Sequence, residues 1–107
     1  MANLDFDLTV THDADGARRV ALRGELDLGT AGRLEEALDD ADGPVLLDLR
    51  ELTFMDSTGV RVLLEAAERG PDLRMLAPRD GDARTTLEET GIGPLLPLVD
   101  DSNGASA

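Results

Sequence analysis

The residues of this 107-residue chain best placed to do chemistry fall in one stretch, Phe54-Met55-Asp56-Ser57-Thr58-Gly59-Val60, where an acid, two hydroxyls and a glycine precede an apolar stripe. Asp, Ser and Thr in that setting are ordinary helix-capping residues, since a short side-chain oxygen accepts a hydrogen bond from a free first-turn N–H. The same position holds a hydroxyl at the solvent boundary, near the positive end of a helix dipole, where a phosphate is locally favoured. Ser57 is therefore a cap or a phosphoacceptor, and the local chemistry taken alone favours the cap, with either Asp56 or Ser57 in that role. Gly59 is expected to leave the backbone behind Ser57 approachable.

Other chemistries fit less well. A nucleophilic serine needs a base, yet the one histidine, His12, falls in a turn after the first strand, and no G-x-S-x-G pattern surrounds Ser57. Asp27 and Asp56 can be paired as catalytic carboxylates or magnesium ligands, but neither has a base, histidine or third acid at motif spacing. With no cysteine there is no thiolate metal site, and no glycine-rich phosphate loop is present. No cofactor and no enzymatic activity are expected.

Composition narrows the partners. The net charge of -13, from 23 acidic against 10 basic residues, repels nucleic-acid backbones and anionic headgroups, so neither nucleic acid nor membrane is expected. A protein partner with a basic docking face fits, and the charge also serves solubility. No run approaches the roughly 20 apolar residues of a membrane span, and the start lacks the regions of a signal peptide, so a soluble cytoplasmic protein is expected. Phe6 and Phe54 are the only rings, which leaves the core to Leu, Val and Ile.

The elements that must position the central stretch follow from periodicity. Leu4, Phe6, Leu8 and Val10 alternate with Asp5, Asp7, Thr9 and Thr11, the pattern of a half-buried strand. Asp13-Ala14-Asp15-Gly16 supplies a turn, and Val20 and Leu22 continue a hairpin that Gly24 closes. Thr30 is placed to cap a helix with Leu34, Ala37, Leu38 and Ala41 on its apolar face. Gly43-Pro44 breaks the chain, and residues 45–49 read as a central strand buried on both faces. Residues 50–56 then read as a loop leaving the carboxyl edge of the sheet, where sites of α/β folds gather.

The following helix carries Val60, Leu63, Leu64 and Ala67 as its stripe and ends at Gly70-Pro71. A strand over 73–77 and a short helix over 83–90 come next. Gly91 suggests a left-handed helix end, with Ile92 against Leu87. Residues 96–99 form a last strand that Pro97 confines to an edge. The small polar residues from Asp100 onward read as a disordered tail over 101–107 behind one domain over 1–100. The fold class is α/β, a mixed β-sheet opening with a β-hairpin and covered by helices.

The order Gly24-Glu25-Leu26-Asp27, then 45–49, then Phe54 to Val60, then Thr90-Gly91-Ile92 resembles the STAS domain family over about residues 4–100, and within it the bacterial anti-sigma factor antagonists. The resemblance implies that Ser57, directly after the aspartate, is phosphorylated by an anti-sigma factor that is also an ATP-dependent serine kinase. It implies that a PP2C-type phosphatase reverses this, with Thr58 the alternative acceptor. The unphosphorylated form would bind the anti-sigma factor and release the sigma factor, a partner switch in transcription control and stress signalling. Docking would involve Glu25, Asp27 and Thr30 from the first motif, and Asp56, Thr58, Gly59, Val60 and Arg61 around the serine. The main alternative is a STAS subunit of a lipid-transport complex that binds an ATPase without phosphorylation. Family members usually continue into a further helix, for which residues 100–107 offer almost no apolar face.

Overall fold

The computed structural model describes residues 6–12, 16–41, 43–69 and 72–99. The expected hairpin forms: β1 (Phe6–His12) and β2 (Arg18–Leu26) pair antiparallel, from Phe6 opposite Gly24 to His12 opposite Arg18. Phe6, Val20, Leu22 and Leu26 are buried, whereas Val10 is exposed because β1 is the edge of the sheet. The turn at Asp13 to Asp15, and Leu4 and Asp5, lie outside the described residues. Gly24 does not close β2, which runs on to Leu26. Its φ of 97° suits a register shift against the next strand, a bulge conformation that glycine adopts without strain.

Helix α1 (Ala31–Asp39) buries Leu34 and Leu38, with Ala37 and Ala41 packed at the flank of the core. Strand β3 (Val45–Met55) pairs parallel with β2 and extends well past the expected end. Residues 50–55 are strand, not loop. The reason is the pairing itself: Ala21 faces Asp48 and Arg23 faces Glu51, then Gly24 faces Leu52 and Glu25 faces Phe54, so β3 twice carries one residue more than β2. Each extra residue resets the alternation, letting Leu52 and Met55 reach the core while Glu51, Thr53 and Phe54 stay out. That irregularity disguised the segment as a loop.

Helix α2 (Ser57–Ala67) buries Gly59, Val62, Leu63 and Ala66. Of the expected stripe, Leu63 is central while Val60, Leu64 and Ala67 only flank the core, because the helix is rotated to press Gly59 inward. Its expected stop at Gly70-Pro71 lies outside the described residues. Strand β4 (Leu73–Leu76) pairs parallel with Val45 to Asp48 of β3, and Ala77 falls beyond it. Helix α3 (Gly81–Thr90) starts two residues earlier than its apolar pattern and packs beside the half of β3 that β4 leaves unpaired. There the Arg79 N–H donates to the Arg50 carbonyl at 3.4 Å.

Gly91 ends α3 in the left-handed conformation, φ 69°, its N–H donating to the Glu88 carbonyl, and Ile92 and Leu87 are both buried in the core. After a 3-10 turn at Gly93–Leu95, β5 (Leu98–Val99) pairs parallel with β4 at the sheet edge. It is shorter than expected: Leu96 is drawn into the core and Pro97 contributes only its carbonyl, which accepts from the Met75 N–H at 2.9 Å. The sheet order is β1-β2-β3-β4-β5, antiparallel only in the hairpin. The expected tail at 101–107, and any helix there, lie outside the described residues.

Among the described residues, one charge is buried in this sheet. Asp48 on β3 is 8% exposed, and its carboxylate accepts from Arg50 Nε at 3.0 Å, Arg50 Nη2 at 2.8 Å, the Arg50 N–H at 3.1 Å and Arg19 Nη1 at 3.0 Å. Burial, the largest influence, raises its pKa. The Arg50 and Arg19 hydrogen bonds together outweigh it and bring the value down to about 2.

Candidate functional site

Strand β3 hands over to α2 through a single residue, Asp56. Its backbone is extended (φ -102°, ψ -169°) and its side-chain Oδ1 accepts from the Gly59 N–H at 3.1 Å. Its carbonyl accepts from the Val60 N–H at 3.0 Å, and its own N–H donates to the Leu26 carbonyl at 3.3 Å. Asp56 is thus the cap, and Ser57 is the first residue of the helix itself. The Ser57 side chain is exposed and its hydroxyl has no hydrogen-bond partner among the described residues. The N–H groups of Ser57 and Thr58 open the helix without an intrahelical acceptor, as first-turn amides do.

Gly59 has a different task from the one expected of it. It is buried, and a Cβ built there would lie 2.6 Å from the Leu26 carbonyl oxygen and 3.0 Å from the Met55 Cβ. The glycine lets the start of α2 seat directly on the end of β2; it does not expose backbone to a ligand.

The second part of the site is the turn after β2. Thr30 is 6% exposed, and its hydroxyl does not cap α1 as expected. It points back into the turn, accepting from the Asp27 N–H at 2.9 Å and donating to the Glu25 carbonyl at 2.9 Å. Asp27 Oδ1 in turn accepts from the Gly29 N–H at 3.0 Å, and the Asp27 carbonyl takes the N–H groups of Thr30 and Ala31. Thr53 Oγ1 donates to the Gly24 carbonyl at 3.1 Å, tying the turn's entry to β3.

The turn and the start of α2 meet across an open depression of about 380 Å³ lined by Phe6, Glu25, Asp27, Leu28, Gly29, Thr30 and Asp56. Three carboxylates thus share one rim beside Ser57. Arg33 lies over the Phe6 ring at 5.0 Å from its centroid. Thr58 and Val60 are half-buried, and Arg61 is exposed, its Nη1 3.2 Å from Glu65 Oε2. His12 is at the other end of β1, about 20 Å of strand from Phe6 by the rise of an extended chain, too far to serve Ser57 as a base.

Sequence reasoning missed Leu28, which is 78% exposed at the tip of the turn. Leu28 had a signal: an apolar side chain among Asp27, Gly29 and Thr30 has no strand or helix face to join. Among the described residues no group of three His, Cys, Asp or Glu is placed to hold a metal ion, and no helix is long and apolar enough to cross a membrane.

A family model described as Mlab, STAS domain matches residues 10–97. The anti-sigma-F factor antagonist RsfB of Mycobacterium tuberculosis is 37% identical over 67 residues, covering 58% of this chain and 55% of that protein. The chain therefore spans about half the length of the curated relatives it matches. The crystal structure of an anti-sigma factor antagonist from Mycobacterium paratuberculosis superposes with a TM-score of 0.71 at 26% identity, over 98% of this chain and 95% of that one. The anti-sigma factor antagonist SpoIIAA in its unphosphorylated form shares the fold, with a TM-score of 0.63 at 20% identity over 92% and 93% of the two chains.

Proposed function

The chain belongs to the STAS domain family, and on that premise we propose that it is an anti-sigma factor antagonist switched by phosphorylation of Ser57. The observation that carries this reading is the exposed, unpartnered Ser57 hydroxyl, one residue past the Asp56 cap, which itself lines the acidic depression. RsfB, which is named as an anti-sigma-F factor antagonist, supports the antagonist part of this reading.

In the unmodified state this surface offers a bare hydroxyl at Ser57 and, lining the depression, the carboxylates of Glu25, Asp27 and Asp56 and the exposed side chain of Leu28. Thr58, Val60 and Arg61 flank it. Thr30 and Gly59 are buried and contribute by holding the turn and the helix start in place. An anti-sigma factor with serine-kinase activity docks here through a basic face and is thereby kept from its sigma factor. Phosphorylation places a bulky group, carrying about 1.5 to 2 negative charges, on a surface fitted to a bare hydroxyl, and the steric misfit breaks the docking. The fold stays intact because Ser57 gives up no hydrogen bond and a phosphate suits a helix N-terminus. A PP2C-type phosphatase restores the hydroxyl. The domain, residues 1–100, is a cytoplasmic substrate and ligand of these enzymes, not an enzyme.

Incubation with the cognate kinase and ATP, read by intact mass, tests this. Wild type and Thr58→Val should each gain one phosphate and Ser57→Ala none; a phosphate on Ser57→Ala sinks the assignment. Purification with bound partners adds a second check. A small kinase-like anti-sigma factor should be retained by the unmodified form and lost from Ser57→Asp, whereas retention of a transporter ATPase by both forms would replace this reading with the lipid-transport one.

A further inference from the structure

Ser57, Arg61 and Glu65 stand at i, i+4 and i+8 of α2, so they form one stripe along the exposed side of the helix. Arg61 is the only basic residue in the α2 sequence, and its Nη1 is paired with Glu65 Oε2 at 3.2 Å, the two side chains being 57% and 55% exposed. This pair is in the weaker order, with the cation N-terminal to the anion. A phosphate on Ser57 would present the stronger order to the same guanidinium: an anion four residues N-terminal to the cation.

We infer that Arg61 exchanges partners when Ser57 is phosphorylated, leaving Glu65 and taking the phosphate oxygens. The inference rests on the reading of Ser57 as the phosphoacceptor and adds how the chain accommodates the modification. A phosphate accepts two guanidinium N–H groups at once as a carboxylate does, but near neutral pH it carries more charge, so it outcompetes Glu65 for Arg61. Both side chains are already solvated, and the exchange strips no water from a buried ion. The neighbouring charges strengthen the demand: Asp56 is adjacent in sequence, and it lines the depression together with Glu25 and Asp27. Arg33 is engaged over Phe6 on α1. Phosphorylation thereby marks the helix twice, with a partly neutralised anion at Ser57 and a released carboxylate at Glu65 two turns along.

The test uses the full chain with phosphoserine installed at position 57 during synthesis, so it does not depend on any kinase. Phosphorus NMR follows the second ionisation of the phosphate, near pH 6 in an unperturbed group. Arg61→Gln should raise the midpoint by about 0.3 units, the scale of an exposed i,i+4 ion pair, and Arg61→Lys should recover part of that shift. Glu65→Gln should lower the midpoint through competition for Arg61, beyond the residual lowering it causes in the Arg61→Gln background. An unchanged midpoint in Arg61→Gln, or equal Glu65→Gln effects in both backgrounds, overturns the exchange. Circular dichroism confirms that each variant is folded, and Glu65→Gln against its double variant carries the test if one single variant is not. A kinase that fails to modify Ser57 would count against the proposed function and leave this result standing.

Discussion

Replacing Gly59 by alanine sets two forces against each other at the point where the site is anchored. Within a helix the change is favourable by about 1 kcal/mol, because alanine loses less backbone freedom than glycine. The new Cβ, however, would fall 2.6 Å from the Leu26 carbonyl oxygen, 3.0 Å from the Met55 Cβ and 3.2 Å from the Leu26 Cγ. A carbon and an oxygen rest no closer than about 3.3 Å, so α2 or the end of β2 must move by roughly 0.7 Å, and the obstacle is backbone. Overpacking of this kind costs about 1 to 3 kcal/mol, and the displacement also strains the bond from Asp56 N–H to the Leu26 carbonyl, worth about 1 kcal/mol. The net expectation is a loss of about 1 to 3 kcal/mol, or roughly 4 to 13 °C in Tm for a domain of this size. Gly32 in the first turn of α1 supplies the control, since its Cβ position meets nothing within 4 Å and it is exposed. Gly32→Ala should stabilise by up to about 1 kcal/mol. Urea and thermal unfolding of the two variants should move in opposite directions with unchanged m-values. If Gly59→Ala is as stable as wild type or more so, the packing account of this glycine is wrong.

Other expectations concern the sheet charge and the turn. The Asp48 pKa is depressed to about 2 from 3.8, so its contribution is present above about pH 4 and is lost as pH falls from there toward 2, amounting to roughly 2 kcal/mol. Asp48→Asn should therefore be less stable than wild type at neutral pH, and the gap should narrow through that window; a constant gap in urea unfolding at pH 5, 4, 3 and 2 would refute it. Thr30→Val keeps the shape but leaves the Glu25 carbonyl and the Asp27 N–H without the hydroxyl, at a cost of about 1 to 2 kcal/mol, whereas Thr30→Ser should retain most of the stability. Ser57→Ala should leave thermal stability within about 0.5 kcal/mol of wild type.

The features readable in the sequence are those whose cause is local. The β1–β2 hairpin shows in strict alternation, the α2 start in Asp56-Ser57-Thr58, and the α3 terminus in Gly91, because each depends on neighbours a few residues away. The second half of β3 was hidden because its alternation makes sense only against β2, whose two register shifts no single strand can reveal. The rotation of α2 was misplaced for a similar reason: Gly59 turns inward on account of Leu26, which is remote in sequence. Thr30 has the composition of a cap and the contacts of a turn lock, and its hydroxyl's bonds to the Asp27 N–H and the Glu25 carbonyl distinguish the two. That Asp27 and Asp56 share a rim was conditional on the turn lying beside α2, which the parallel pairing of β2 and β3 brings about.

The one-residue junction at Asp56 also determines how Ser57 can be handled by another protein. Met55 before it is 1% exposed and Gly59 after it is wedged against β2, so the serine has no slack on either side. An enzyme that works on a pliant peptide drawn into its cleft would find nothing here to draw. A kinase acting on this residue, as proposed, would have to read the assembled shape, with the serine as one raised point on it. A short peptide spanning Phe54 to Arg61, or the unfolded chain, would carry the same letters and be ignored, and modification at this position would certify that the molecule had already folded.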